Sequence, residues 1–132
     1  MKVEVINVYS NEGSDDKKLK GDHGQSFYIK IDETTILIDT GTSAKILLQN
    51  MHELGLSPDT IDKIFLTHGH YDHMAGLYAL LGHFRIIERK FPINIYFPKG
   101  CKEVQQIIIA FQESYDDFSF KTSSLNDTVP QV

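Results

Sequence analysis

The sequence predicts an α/β layered domain in which helices pack on at least one face of a sheet. Short β-rich segments alternate along the chain with segments whose apolar residues have helical spacing. The 132 residues, 41% of them hydrophobic, are enough for one well-packed core and fit a single domain over residues 1–132. We therefore expect one unit of sheet and helices.

The N-terminal part is predicted to be rich in strands. In order, we expect a half-buried strand over residues 2–9, a long polar loop over 10–24, and strands over 26–31 and 35–38. The last two strands are expected to form a hairpin, although their connection lacks the Asn-Gly or Asp-Gly pair that favours one. Ser43 is the predicted N-cap of the helix that follows, and Gly55 is its predicted C-terminal stop.

The remaining segments continue the alternation of strands and helices. They are, in order, a strand over residues 63–66, a polar histidine-rich segment over 67–73, a helix over 74–81, one or two helical turns over 83–90, a strand over 93–97, a helix over 101–114, a strand over 118–121 and a tail over 123–132. This order is the basis for the predicted layers.

Composition argues against several classes of protein. The net charge of −5, from 13 basic and 18 acidic residues, disfavours nucleic acid as a partner, because binding to phosphates needs clustered Lys and Arg. The single cysteine, Cys101, excludes an internal disulfide and fits a reducing compartment. No apolar run approaches the roughly 18 residues of a membrane span, and the N-terminus lacks a signal-peptide pattern. We therefore expect a soluble, cytoplasmic protein without a membrane anchor.

The histidine-rich segment is the most informative part of the chain. Three of the six histidines fall within residues 68–73. His68 and His70 follow a predicted strand at positions i and i+2, so their side chains point to the same side of an extended segment. Both imidazoles can then reach one metal ion, and Gly69 lets the backbone bend between them.

Asp72 and His73 follow directly, where the next helix is predicted to begin. An imidazole and a carboxylate at this position could form a second metal position beside the first. Such donors are expected for zinc, with iron or manganese as alternatives. Histidines in a polar loop are often only solvated, but three histidines and an aspartate in six residues favour a site that binds one or two metal ions.

These residues resemble a known family. Residues 67–77 are similar to the His-x-His-x-Asp-His signature of the metallo-β-lactamase superfamily, and residues 35–41 to its upstream strand-Asp-x-Gly element. Residues 63–66 match the strand that leads into the signature. The resemblance covers about residues 3–81 and implies an αββα sandwich, of which this chain would be the N-terminal half or a truncated version.

The resemblance also implies roles for individual residues. His68 and His70 would bind the first metal ion, and Asp72 and His73 the second, with Asp72 also in the catalytic site. Asp39 would orient a histidine ligand through its carboxylate, although on its own it would be taken as a turn residue at a strand end. A metal-bound hydroxide would attack an ester, phosphoester or lactone-like bond in a small-molecule substrate.

Two short segments point to different branches of the superfamily. Residues 22–26 resemble an acidic-His-Gly-x-Ser segment of a branch related to dihydropterin ribofuranosyl-aminobenzene phosphate synthesis. Residues 95–100 are similar to a strand-Pro-x-Gly turn of ribonuclease Z-like phosphodiesterases. His23 is accordingly a candidate for substrate binding at the pocket rim, and an exposed loop residue is an equal alternative.

The ligand set implied by the resemblance stops halfway. The family pattern expects a third histidine for the first metal ion, a bridging aspartate and a last histidine downstream, but no histidine follows His83. The chain is then either a piece of a longer hydrolase or a short form that completes itself by self-association. Both possibilities predict apolar surface that is not covered within one chain.

The alternative to an enzyme is a catalytically silent module that binds metal or oligomerises. Nucleic-acid processing of the ribonuclease Z kind is a third hypothesis, disfavoured by the acidic balance.

Overall fold

Six strands form one mixed sheet in a computed structural model, which describes residues 1–89, 91–118 and 120–125. Across the sheet the strands follow chain order: β1 (Val3–Tyr9), β2 (Ser26–Ile31), β3 (Thr34–Ile38), β4 (Lys63–Phe65), β5 (Ile93–Pro98) and β6 (Phe120–Leu125). β1, β2 and β3 pair antiparallel with one another, whereas β3, β4, β5 and β6 pair in parallel. The predicted hairpin is confirmed, and Asp32 has the positive φ of 50° that its tight turn requires.

In the described residues, four α-helices and a short 3₁₀ turn, Pro58–Thr60, connect the strands. The helices are α1 (Ala44–Glu53), α2 (Tyr71–Met74), α3 (Leu77–Ile86) and α4 (Lys102–Ser114). Both predicted caps of α1 are confirmed. Ser43 Oγ accepts a hydrogen bond of 3.3 Å from the Ile46 amide, and Gly55 follows the helix with a φ of 72°.

The core lies between one face of the sheet and the helices. The strand register places Tyr28, Leu37, Ile64 and Ile95 in one row, and all four side chains are buried. The buried apolar side chains of α1, α3 and α4 belong to the same cluster. The α/β class predicted from the sequence is therefore confirmed, with its helices over this face.

The other face of the sheet has no comparable cover. Its central row runs through Phe27, Ile38, Phe65 and Tyr96, and each of these side chains is only partly buried. The rings of Phe65 and Tyr96 stack on each other at 4.6 Å between centroids. We call this surface the open face. The described residues form one sheet, and in a sandwich a second sheet would pack on this open face.

Three predicted elements differ from the structure. The helical turns predicted separately over residues 83–90 continue α3, which runs through Gly82 to Ile86. The last strand is Phe120–Leu125 rather than residues 118–121, so Ser123 to Leu125 pair with β5 and are not part of a tail. The rest of that predicted tail, residues 126–132, lies outside the described residues. The predicted helix over residues 74–81 is divided between α2 and α3. The division occurs because the His73 carbonyl accepts a hydrogen bond from the Thr40 amide, and the Gly76 amide donates to the Gly41 carbonyl.

Candidate functional site

Asp39 is the centre of a buried hydrogen-bond network at the end of β3. Its side chain is almost fully buried, and its φ of 61° turns the backbone out of the strand. Oδ1 accepts a hydrogen bond of 2.8 Å from the Thr67 amide, and Oδ2 accepts one of 2.6 Å from the Thr67 hydroxyl. His73 Nδ1 lies 2.9 Å from the same Oδ2. The carboxylate thus joins the end of β3 to the turn that follows β4.

This network fixes the tautomers of two histidines. A carboxylate only accepts hydrogen bonds, so a neutral His73 imidazole carries its proton on Nδ1 and leaves Nε2 with a free lone pair. The Thr67 hydroxyl uses its one proton on Asp39, so it accepts from His68 Nδ1 across 2.8 Å, and His68 Nε2 is left free as well. The two rings lie 4.1 Å apart between centroids. In metal sites, a histidine that binds the ion through one ring nitrogen commonly donates the proton of its other ring nitrogen to a carboxylate. His73 and Asp39 have this arrangement.

His70 and Asp72 lie at the start of α2, beside this pair. His70 is the N-cap residue of α2, and its ring stands edge-on to that of His68, with 4.7 Å between centroids. Asp72 lies in the first turn, and its Oδ2 is 3.6 Å from His73 Nε2. The structure therefore brings together all four residues that the sequence nominated as metal ligands.

The donor atoms are of the kind that zinc prefers, because imidazole nitrogens and carboxylate oxygens are among its usual ligands. The Asp39 network fits as well, since it leaves the Nε2 atoms free to coordinate. Within residues 1–89, 91–118 and 120–125, however, no three His, Cys, Asp or Glu donors surround one point closely enough to hold an ion. The described residues thus supply oriented pairs of donors rather than a closed coordination sphere.

The predicted loop over residues 10–24 is anchored to the body of the domain. Asn50 on α1 is buried, and its side chain bonds the backbone of Lys20 and the Val8 carbonyl. The Tyr9 hydroxyl donates to Asp22, and burial together with this carboxylate raises the pKa of Tyr9 to about 12. These contacts hold the end of the loop near the histidine segment.

His23 lies at the end of this loop, and its Nε2 is 3.4 Å from Asp72 Oδ2. Its ring is also 5.6 Å from that of Tyr71, measured between centroids. Its side chain is 56% exposed, so both alternatives left open by the sequence, the pocket rim and an exposed loop residue, stay open. Two lysines of the same loop lie elsewhere: Lys18 and Lys20 line a groove with Asn50 and His52 of α1.

Sequence reasoning missed two residues at the site. Thr67 was quoted only as part of the motif, although its hydroxyl links His68 to Asp39. Glu103 at the start of α4 lies so close to Gly69 that a Cβ there would be 2.6 Å from Oε1. A side chain at position 69 would therefore have to displace the end of the Glu103 side chain. A hydroxyl directly before the first histidine was a usable signal for Thr67, but nothing local marked Glu103.

A comparison with protein families assigns the chain. The model described as the metallo-beta-lactamase superfamily matches residues 19–122. The chain belongs to the metallo-β-lactamase superfamily. The resemblance in the sequence is thereby confirmed. Members of this superfamily bind metal ions, usually zinc, and are generally hydrolytic enzymes.

Curated relatives match about half of the chain or a little more. It is 39% identical over 75 residues to 7,8-dihydropterin-6-methyl-4-(beta-D-ribofuranosyl)-aminobenzene-5'-phosphate synthase of Methanocaldococcus jannaschii, covering 54% of this chain and 24% of the relative. It is 41% identical over 78 residues to ribonuclease Z of Pyrococcus abyssi, covering 59% and 24%. It is 30% identical over 76 residues to exodeoxyribonuclease WalJ of Streptococcus pneumoniae, covering 58% and 26%. The matched segment is about a quarter of each relative's length.

Solved structures match nearly the whole described fold. Human tRNase Z, short form, has a TM-score of 0.68 and 25% identity, covering 98% of this chain and 47% of that one. A metallo-beta-lactamase from Thermotoga maritima has a TM-score of 0.58 and 20% identity, covering 94% and 59%. The second likeness concerns the fold alone. The chain spans about half the length of these neighbours, which confirms that it is short relative to the complete fold.

The relatives correct one prediction from composition. The acidic balance disfavoured nucleic acid, yet ribonuclease Z and an exodeoxyribonuclease are among the proteins that this chain resembles. Net charge alone does not exclude nucleic acid, because a few local contacts can recognise a phosphate while the whole surface stays acidic. Among the described residues, no helix has both the length and the apolar character that crossing a membrane would require.

Proposed function

We propose that this chain carries a metal-dependent hydrolase site of the metallo-β-lactamase type, with His68, His70, Asp72 and His73 as the metal-binding residues. The observation that carries the proposal is the Asp39 network, which commits Nδ1 of two histidines and leaves both Nε2 atoms free. A zinc ion held there would polarise the scissile bond and lower the pKa of a water molecule, and iron or manganese could serve the same purpose.

The residues of the chain have distinct parts in this proposal. Asp39 keeps His73, and through Thr67 also His68, in one tautomer and one orientation, so that no reorganisation is needed during turnover. The Asp72 side chain is 22% exposed, so solvent reaches it, and it can accept the proton that a water nucleophile releases. His70 is exposed beside them and is free to turn towards the same point.

The relatives favour a phosphoester as the substrate. Two of the three curated relatives described above are nucleases by name, and the third forms a 5'-phosphate compound. We therefore place a phosphodiester first among the candidate substrates, ahead of a carboxylic ester or a lactone. The phosphodiester could belong either to a small molecule or to a nucleic acid.

The test is hydrolysis of bis(p-nitrophenyl) phosphate and of a simple lactone by the zinc-loaded chain. His70→Ala should abolish turnover, whereas His52→Ala on α1 is a matched control that should behave as wild type. A wild-type chain that takes up no zinc, iron or manganese on titration would contradict the proposal.

A silent metal-binding module is the second candidate, and a specific observation favours it. The described residues hold no closed set of three donors, and the chain matches only about a quarter of its relatives' length. Under this hypothesis the chain binds metal, loses that metal with His70→Ala, and hydrolyses neither compound at any metal concentration.

A further inference from the structure

The backbone around His23 is docked directly on the candidate site. The Gln25 amide donates a hydrogen bond of 3.2 Å to the Asp72 carbonyl, and the Thr42 hydroxyl donates to the His23 carbonyl. Gly24 has a φ of 136°, and a Cβ there would lie 2.3 Å from the Asp72 carbonyl oxygen. Only glycine permits this approach, so the position of His23 over the site is imposed by the packing of the loop.

The His23 side chain faces the same carboxylate oxygen as His73. Asp72 Oδ2 lies 3.4 Å from His23 Nε2 and 3.6 Å from His73 Nε2. Donors bound to one tetrahedral zinc ion at about 2.0–2.2 Å are separated by about 3.3–3.6 Å. Both measured separations therefore have the length that two ligands of one ion would have.

The two histidines differ in how they are held. His73 is fixed from behind by Asp39, whereas the His23 side chain is 56% exposed and its contact with Asp72 is its one close polar contact in the described structure. A solvent-exposed ring can change rotamer at little cost, and a small rotation would move its Nε2 towards a point shared with the other two donors. The pairs are thus spaced for coordination, although the three donors do not yet surround one point.

We propose that His23 is a metal ligand, which adds a third donor from the N-terminal loop to the pair formed by Asp72 and His73. This inference rests on the proposed function, because it concerns the same metal position. It means that part of the coordination sphere missing from the histidine segment is supplied by residues before that segment. The site would then be more nearly complete in this chain than the signature alone indicates.

The experiment is a titration of the metal-free full chain with Co²⁺, followed by visible absorption and by competition with a chelator. Neither readout depends on turnover. His23→Ala should weaken the binding of one Co²⁺ by tenfold or more and change the visible band, because one nitrogen ligand is lost. His52→Ala is the matched control, since it removes another exposed histidine and should leave both readouts as in wild type.

The outcomes separate this inference from the proposed function. If wild type binds Co²⁺ and His23→Ala binds it with the same affinity and spectrum, His23 is not a ligand and only this inference is overturned. If wild type itself binds no metal ion, the proposed function fails and this inference fails with it. Because His23 is exposed, we expect the variant to fold, and an unchanged circular dichroism spectrum would verify that.

Discussion

Replacing Asp39 by asparagine should separate the structural and functional roles of the buried network. The new amide keeps an oxygen for the Thr67 amide, but it places an NH₂ group where Oδ2 accepted from the Thr67 hydroxyl and from His73 Nδ1. Two hydrogen bonds to a charged group are lost, each worth roughly 1.5–3 kcal/mol, and reorientation of the hydroxyl recovers part of this. We expect Asp39→Asn to lower the free energy of unfolding by about 2–3 kcal/mol.

The same substitution should weaken zinc binding by about 10- to 100-fold, because His73 is no longer held in the tautomer that exposes Nε2. Urea unfolding of the metal-free chain measures the first effect, and zinc competition with a chelator measures the second. Asp62→Asn is the matched control. Within the described residues, the Asp62 side chain accepts one hydrogen bond, of 2.8 Å from the Thr35 amide, so this variant should lose about 1 kcal/mol or less and bind zinc normally. If both variants behave alike in the two assays, Asp39 does not orient the metal-binding histidines.

Two further predictions concern the alkaline stability and the association of the chain. Folding raises the pKa of Tyr9 from 10.0 to about 12. The protonated hydroxyl therefore contributes fully to the free energy of unfolding below pH 10, and this contribution is lost as the pH rises towards 12. This loss amounts to at most about 3 kcal/mol. Urea unfolding at increasing pH should show that Tyr9→Phe removes this part of the decline, and an unchanged slope would contradict it. A second copy of the purified chain can cover the open face, so sedimentation velocity should show self-association that rises with concentration. Ile29→Lys on that face should abolish it, and a wild-type chain that stays monomeric throughout would refute the prediction.

The sequence was most informative where the determinants are local. The caps of α1 and the β2–β3 hairpin depend on residues a few positions apart, and both were predicted correctly. The four nominated ligands likewise fall within six residues, so their closeness in space follows from closeness in the chain. Their assignment as ligands stays a prediction.

Elements held by distant partners left no such signal. Strand β6 has exposed, largely polar side chains and is defined by backbone pairing with β5, so its limits could not be read from an apolar pattern. The break between α2 and α3 depends on Thr40 and Gly41, which precede it by more than thirty residues. No periodicity within residues 74–81 could have shown it.

The candidate site combines both kinds of determinant. Asp39 is 28 residues from Thr67 and 34 from His73, so its role could be inferred only by resemblance and not from spacing. Glu103 and Gly24 approach the histidine segment from opposite directions along the chain. Glu103 packs against Gly69, and Gly24 lies against the Asp72 carbonyl, where a side chain would not fit. The histidine segment thus specifies which donors are present, while residues far from it determine their tautomers and their separation. It follows that substitutions at Asp39 or Gly24 should disturb metal binding without removing any of the four nominated ligands.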